Sequence, residues 1–170
     1  TTEPWRVFHK DLGIGSSPYS KILQLNENSA ASSGAADFQQ AGMTSSVITL
    51  GGELKSNGSS RTYIAYLFAT APGVSKVGSF TGATSDVTVD CGFSNGAKFV
   101  IIKDSNASGD WYVYDSVRGI VSGNEPYLEL NTTDAENTGA DYIDPHSSGF
   151  IITSGFMQSG RTYIFYAIAA

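Results

Sequence analysis

One short segment occurs twice in this chain and constrains its fold more than any other feature. The sequence of residues 61–66, Arg-Thr-Tyr-Ile-Ala-Tyr, returns 100 positions later in residues 161–166, with Phe in place of Ala. Each copy follows a turn rich in Gly and Ser, and each is apolar on both faces of an alternating pattern. Because a strand that is apolar on both faces is buried on both sides, we predict that each copy is the buried central strand of a β unit.

The two copies belong to a longer internal repeat. Trp5 matches Trp111 at an offset of 106 residues, and Tyr63 matches Tyr163 at an offset of 100. Further blocks match in the same order between them: residues 23–26 with 128–131, residues 37–38 with 141–142, and Ile48 with Ile151. The offset between matching residues therefore shrinks by six along the repeat. Because loops tolerate length changes better than strands do, such a gradual change in offset is typical of two related units.

A boundary between the units is indicated by Pro72-Gly73, a dipeptide typical of turns. We therefore predict an incomplete first β unit in residues 1–72 and a complete second unit in residues 73–170. Residues 73–110 form the front of the second unit and have no counterpart in the first. We expect the Tyr63 strand to lack a full set of partners within residues 1–72. Its completing strands would come from the second unit, from another subunit, or from a natural chain that extends upstream.

The composition supports a fold rich in β structure. Charged residues make up only 15% of the chain, below the roughly 25% of an average globular protein, and the polar share is Ser, Thr, Asn and 19 Gly residues. This balance is typical of antiparallel proteins with many turns and of extracellular or virion surfaces. We predict an all-β, antiparallel fold, a β-sandwich or jelly-roll-like arrangement of two sequence-related units.

Charge and hydropathy argue against two classes of partner. The net charge is −6 and no run of Lys or Arg occurs, so the chain lacks the basic face that binds nucleic-acid phosphates. Apolar runs are all shorter than the roughly 18 residues that a membrane span needs, so we predict no membrane insertion. The single cysteine, Cys91, has no partner for an internal disulfide, and we interpret it as a small buried apolar residue.

The loop in residues 104–110 is the one candidate for a metal site. Asp104, Asn106, Ser108 and Asp110 follow the spacing of a calcium-binding loop. However, predicted strands flank this loop instead of helices, and the same residue types favour hairpin turns. A plain hairpin loop is therefore the preferred interpretation, and we predict no metal and no cofactor.

Other candidate binding residues lie in loops. An acidic stretch that contains Asp134, Glu136, Asp141 and Asp144 has the chemistry to hold a cation or sugar hydroxyls, although solvated carboxylates are the simpler interpretation. Most aromatic residues alternate within predicted strands, and we interpret them as core packing. Tyr19 and Tyr127 lie at predicted loop edges and are weak candidates for stacking on a sugar ring. No catalytic residues are predicted, because neither histidine has a metal spacing and no nucleophile elbow is present.

Three blocks of the second unit resemble a known family. They are residues 73–82, residues 111–119 and residues 163–167, together with the pair Gly149-Phe150. These blocks resemble a repeated β domain of uncharacterised function in tailed-phage virion proteins, notably the tail-fibre and structural proteins of marine phages and cyanophages. The first unit carries only the second half of the pattern and departs from it at His9-Lys10, where the second unit has Asp115-Ser116.

The resemblance implies a function. It implies a non-enzymatic, extracellular virion component that is structural or faces a receptor, such as a tail fibre. Its partners would be copies of itself, with a homotrimer favoured, other virion proteins and a host-surface glycan. The alternatives are a carbohydrate-binding β-sandwich module of a secreted or surface protein, and an enzyme that acts on surface glycans. Because a fold or family does not determine an activity, these alternatives stay open on the sequence alone.

Overall fold

The regular secondary structure of the described residues is almost entirely β-strand. The computed structural model describes residues 3–12, 21–33, 37–38 and 43–170. The strands in these residues are β1 Arg6–Val7, β2 Lys21–Gln24, β3 Ser32–Ser33, β4 Ser75–Thr81, β5 Val87–Asp90, β6 Ala97–Asp104, β7 Tyr112–Asp115, β8 Leu128–Glu129, β9 Ile143–His146, β10 Gly149–Ile152 and β11 Thr162–Ala169, and one short helix, α1, spans Leu54–Asn57. This confirms the prediction of an all-β fold.

The largest sheet has five strands in the order β4-β11-β6-β7-β8. All of its pairings are antiparallel, and β11 is an interior strand, with Phe165 opposite Gly78 of β4 and Ile102 of β6. Both faces of β11 are covered, since Phe165 and Ile164 point to opposite faces and are 4% and 2% exposed. The prediction of a strand buried on both sides is therefore confirmed for the second copy of the repeated segment.

A three-stranded sheet, β5-β10-β9, packs against one face of the five-stranded sheet. Phe150 of β10 meets Phe165 of β11 edge to face, with ring centroids 5.4 Å apart. Val100 and Ile102 of β6 and Ile143 of β9 lie in the same buried cluster. Two antiparallel sheets that share one apolar core form a β-sandwich, as the sequence predicted.

A second small sheet, β1-β2-β3, covers the outer face of the five-stranded sheet. Leu12 and Leu23 pack there with Trp111 and Ile164 in a separate buried cluster. The indole Nε1 of Trp111 also donates a hydrogen bond to the carbonyl of Gln24 at 2.9 Å. This three-stranded sheet, called the N-terminal sheet below, therefore covers the larger sheet and is not a sandwich of its own.

The first copy of the repeated segment differs from the prediction. Residues 61–70, called the open segment below, form neither strand nor helix, and all ten are exposed. Ile64 is 73% exposed and Leu67 is 71% exposed. The expectation of a buried central strand is thus wrong for this copy. The physical reason is that β11 is paired with β4 and β6 and is covered on both faces by buried apolar clusters, whereas no described strand is paired with the open segment.

Several local contacts recur at matching positions of the two halves. The backbone N–H groups of Trp5 and Trp111 donate to the side-chain oxygens of Asn26 and Asn131, at 3.0 Å and 2.8 Å. The register of β1 with β2 also repeats in β7 with β8, because Val7 lies opposite Leu23 and Val113 lies opposite Leu128. These contacts accompany the sequence matches. The division into units of residues 1–72 and 73–170 remains a prediction.

Candidate functional site

A cleft of about 160 Å³ opens beside the loop that joins β6 to β7. Charged and aromatic side chains from four parts of the second half converge there. The lining residues are Asp104, Ser108, Gly109, Tyr112, Tyr142, Phe156, Gln158, Arg161 and Tyr163. Concave sites with a few convergent polar groups on an apolar wall are the usual form of small-ligand sites.

An ion pair forms the polar side of the cleft. Arg161 Nη1 lies 3.0 Å from Asp104 Oδ2, while Asp104 Oδ1 accepts hydrogen bonds from the backbone N–H groups of Asn106 and Ala107. Asp104 is 8% exposed, whereas the Arg161 side chain is 40% exposed. The carboxylate is therefore held by the turn, and the guanidinium keeps donors free towards solvent.

Lys103 fixes the base of the loop from inside. Its side chain is fully buried, and Nζ donates to the carbonyl of Asp104 at 2.8 Å and to the carbonyls of Asn28 and Ala107 at 3.4 and 3.5 Å. Burial lowers the pKa of Lys103, and the charges of Asp104 and Asp110 oppose this effect. The Lys103 side chain thus links the loop to the turn between β2 and β3 of the N-terminal sheet.

Aromatic rings form the apolar side of the cleft. Phe156 packs against Tyr112, Tyr142 and Tyr163, with ring centroids between 5.0 and 5.6 Å apart. The hydroxyl of Tyr163 accepts a hydrogen bond from the backbone N–H of Gln158 at 2.9 Å. Burial raises the pKa of Tyr112 and of Tyr163. The phenols therefore stay neutral at physiological pH and present hydroxyl groups beside ring surface.

The calcium candidate has the contacts of a hairpin loop. Asp104 pairs with Arg161, Asp110 Oδ1 accepts from Asn131 Nδ2 at 2.7 Å, and Asn106 Oδ1 accepts from the backbone N–H of Thr162. Ser108 is exposed at the rim of the cleft. Across the described residues, no group of three or more His, Cys, Asp or Glu side chains could hold a metal ion. The oxygens of this loop thus hold protein groups, which accounts for the Asp and Asn residues.

The acidic stretch is spread out along the surface. Glu136 pairs with Arg118 at 2.8 Å, and the exposed Asp134 lies in a turn where its N–H donates to Thr132. Asp141 is exposed, and its carbonyl accepts from Thr153 Oγ1 at 2.7 Å. Asp144 lies in β9, with one carboxylate oxygen buried. These positions are those of surface and strand carboxylates, and among the described residues Arg118 is the one cation paired with any of them.

The two tyrosine candidates have different outcomes. Tyr127 belongs to the sandwich core and is 6% exposed, with Tyr112, Tyr114 and Tyr142 packed around it. Its ring is therefore covered by protein and offers no face for a sugar. Tyr19 lies outside the described residues.

Cys91 is buried, as interpreted from the sequence. Burial raises its pKa to about 11, which keeps the thiol protonated and unreactive.

The open segment is the second feature with functional potential. Tyr63, Ile64, Tyr66, Leu67 and Phe68 are each 40–73% exposed. Among the described residues, positions 62–70 make no backbone–backbone hydrogen bond. Contiguous exposed apolar surface on a folded protein marks an interaction site, and free backbone groups beside it are a template for strand pairing.

Sequence reasoning missed the cleft and one buried acid. Tyr142, Phe156 and Arg161 are distant in sequence, and only the pairing of β11 with β6 brings Arg161 to Asp104. Glu125 is fully buried, and its Oε1 accepts from the N–H groups of Tyr142 and Ile143 at 2.8 and 3.0 Å. No local pattern around Glu125 indicates burial, so no sequence signal was available for it.

Comparisons with known proteins identify a family for the chain but do not indicate an activity. No curated protein and no solved structure shows significant similarity to the chain. No helix in the described part of the chain is long and apolar enough to cross a membrane. One family model, described as a domain of unknown function, DUF7483, matches residues 1–170. The chain therefore belongs to the DUF7483 family over its whole length.

Proposed function

We propose that the chain is a non-enzymatic, extracellular component of a tailed-phage virion, a tail fibre or tail-associated protein that assembles through its β units. Its partners are copies of itself, with a trimer favoured, and other virion proteins. The single observation that carries the proposal is the open segment, where apolar side chains and backbone groups are exposed together. The resemblance of residues 73–82 and 111–119 to repeated phage domains supports the same function.

Assembly would cover the exposed apolar side chains of the open segment. A row of large apolar side chains costs solubility in an isolated protein, and unpaired strand-like segments are normally short, charged or covered. Arg61 is the only charged residue in the open segment. A protein that functions inside a larger particle covers such a surface once it is assembled.

Sedimentation and native mass spectrometry of the purified chain test this proposal. We expect an oligomer that resists SDS or heat, and we expect the chain among the proteins of purified phage particles. The double variant Ile64→Lys/Tyr66→Lys should reduce assembly, whereas Val117→Lys, at a position that is 95% exposed, should not. A monodisperse monomer that does not associate with particles would contradict the proposal.

The cleft supports a second candidate, a carbohydrate-binding module. Its aromatic rings and its charged pair, Asp104 with Arg161, are the chemistry that binds sugar rings and their hydroxyl groups. Receptor recognition by a virion protein would use the same chemistry, so the two candidates are compatible. They differ in whether binding occurs on a monomer.

A glycan array with the purified chain tests the second candidate. Arg161→Gln removes the charge from the rim of the cleft and should weaken any glycan binding by about tenfold or more. Tyr66→Ala is the matched control, because Tyr66 is an exposed aromatic residue outside the cleft. Binding that survives Arg161→Gln but is lost in Tyr66→Ala would place the glycan site elsewhere.

A further inference from the structure

Asp104 is the one carboxylate among the described residues that line the cleft, and protein groups already occupy most of it. Its Oδ2 pairs with Arg161 Nη1 at 3.0 Å. Its Oδ1 accepts from the backbone N–H groups of Asn106 and Ala107 at 2.8 and 3.2 Å, and the side chain is only 10% exposed. A site that recognises the O–H groups of a neutral sugar needs acceptors. The strongest acceptor of this cleft is therefore not available to a ligand.

The guanidinium of Arg161, by contrast, has donors in reserve. Its side chain is 40% exposed, and Nη1 alone donates to a protein acceptor among the described residues. Nε and Nη2 lie side by side on one edge of the guanidinium plane. This edge matches the two oxygens of a carboxylate, with which arginine forms paired, charge-assisted hydrogen bonds. Because arginine donates and never accepts, it favours a ligand group that only accepts.

The aromatic wall of the cleft has room for one sugar ring. Tyr112, Tyr142 and Phe156 are half-buried where they line the cleft, so part of each ring can contact a ligand. Phe156 packs against both Tyr112 and Tyr163, with ring centroids 5.0 and 5.6 Å apart. The volume of about 160 Å³ is below the roughly 300–1,000 Å³ of sites for drug-sized ligands. The cleft therefore fits one sugar residue better than a long oligosaccharide.

The charges around the cleft differ between Tyr112 and Tyr163. Burial raises the pKa of both tyrosines, and nearby charges modify this effect. The ion pair of the cleft acts on Tyr163, whereas the carboxylates of Asp110 and Glu129 act on Tyr112. Neither of these two carboxylates lines the cleft. An anionic ligand group therefore fits the Tyr163 side, and hydroxyl groups fit the Tyr112 side, where they can donate towards negative charge.

We propose that the cleft binds one carboxylate-bearing sugar residue of the uronic-acid type. Its carboxylate accepts from Nε and Nη2 of Arg161, its ring packs on Phe156, and its hydroxyl groups point towards Tyr112. The same residue types in a cleft for neutral sugars would leave an acidic oxygen free, and here none is free. This inference deepens the carbohydrate-binding candidate and rests on it.

Titration of the isotope-labelled full chain with monosaccharides, followed by NMR, tests the ligand class. We expect glucuronate or galacturonate to bind about tenfold or more tightly than glucose, galactose or the neutral glucuronamide, because charge-assisted hydrogen bonds are stronger than neutral ones. Chemical-shift changes should centre on the residues that line the cleft. Affinity for the uronate should fall as salt is added, since salt screens exposed charge pairs.

Three variants test the geometry. Asp104→Asn keeps an oxygen for the two N–H groups but removes the charge beside Arg161, so uronate binding should tighten about threefold or more. Arg161→Lys keeps the charge but loses the paired donors, so uronate binding should weaken about tenfold. Arg118→Gln is the matched control and should change nothing, because this arginine also pairs with a carboxylate, Glu136, but lies outside the cleft. Thermal unfolding of each variant verifies that the sandwich is intact.

The outcomes separate this inference from the functions proposed above. Glucuronamide bound as tightly as glucuronate, or weaker uronate binding by a folded Asp104→Asn variant, overturns the inference but leaves the carbohydrate-binding candidate in place. Benzoate bound as tightly as glucuronate also overturns it, because a carboxylate without a sugar then suffices. A chain that binds none of these sugars at the cleft overturns the inference and that candidate together, whatever its association with phage particles. Selective uronate binding by a chain absent from particles supports the inference and contradicts the proposed virion function.

Discussion

At the scale of single residues, Glu125 is a side chain whose protonation depends on folding. It is fully buried, and Oε1 accepts two backbone hydrogen bonds while Oε2 has no protein partner among the described residues. Burial raises its pKa to about 7, and the hydrogen bonds from Tyr142 and Ile143 oppose this effect. The folded chain thus holds a proton that the unfolded chain loses near pH 4.5.

This shift makes stability depend on pH in a defined direction. Between about pH 4.5 and pH 7 the folded state binds more protons than the unfolded state, so the free energy of unfolding should fall as the pH rises. Each unit of pKa shift corresponds to about 1.4 kcal/mol. Urea unfolding measured at several pH values should show this decrease, with a plateau above pH 7.

Substitution of Glu125 assigns the pH dependence. Glu125→Gln keeps an acceptor for the two N–H groups but cannot ionise, so its stability should vary less over the same pH range. Glu125→Ala leaves both buried N–H groups without a partner and should cost roughly 2–4 kcal/mol at pH 5. An unchanged slope in Glu125→Gln would mean that another group causes the pH dependence.

At the scale of strands, the repeated segment shows how far context determines structure. Residues 61–66 and 161–166 differ only at one position, yet the second lies in a buried interior strand and the first has no strand partner in the described chain. Strand preference is largely a preference for a packed, half-buried surface. The same sequence therefore predicts a strand correctly where β4 and β6 are present, and incorrectly where they are not.

The start of β10 gives a test at this scale. At Gly149, an added Cβ would lie 2.1 Å from the carbonyl oxygen of Val89, which is backbone of the paired strand and cannot move aside. Gly149→Ala should therefore destabilise the protein by several kcal/mol, roughly 3 or more. Chemical denaturation of the purified variant measures this effect.

Gly52 is the matched control for Gly149. It is exposed, and no atom lies within 4 Å of an added Cβ. Gly52→Ala should change stability by less than about 0.5 kcal/mol. Equal effects of the two substitutions would show that the close approach of β10 to β5 does not limit packing.

At the scale of the whole molecule, two apolar clusters hold the chain together. The larger one fills the sandwich between the two sheets of the second half. The smaller one, with Leu23, Trp111 and Ile164, attaches the N-terminal sheet to the outer face of the larger sheet. Trp111 joins the halves twice, through this packing and through its hydrogen bond to Gln24.

A pair of tryptophan substitutions tests this connection. Trp111 is 4% exposed and Trp5, its counterpart in the repeat, is 51% exposed. Trp111→Phe removes buried volume and the bond to Gln24, so it should cost about 1–3 kcal/mol, and hydrogen exchange in β2 should accelerate. Trp5→Phe should cost less than about 1 kcal/mol. A larger effect of Trp5→Phe would contradict the role assigned to the smaller cluster.

The sequence by itself determined the fold class and the buried interior strand β11 of the second half. Alternation of apolar and polar residues, turn signals and low charge are local properties, and they predict antiparallel β structure wherever the neighbouring strands are present. The same reasoning identified residues 104–110 as a hairpin loop and Cys91 as a buried residue, and the contacts of both agree with it.

Only the tertiary structure decided which side chains are buried, which carboxyl group holds a proton, and which strand-like segment is exposed. The cleft exists because strand pairing brings Arg161 to Asp104 across 57 positions of sequence, and the proton on Glu125 exists because distant strands enclose the carboxyl group. The exposure of Ile64 and the burial of Ile164 also depend on which strands stand beside them. Hydrogen bonding and burial across a sheet are non-local, so a local pattern predicts that a segment can be a strand but not whether its partners are there.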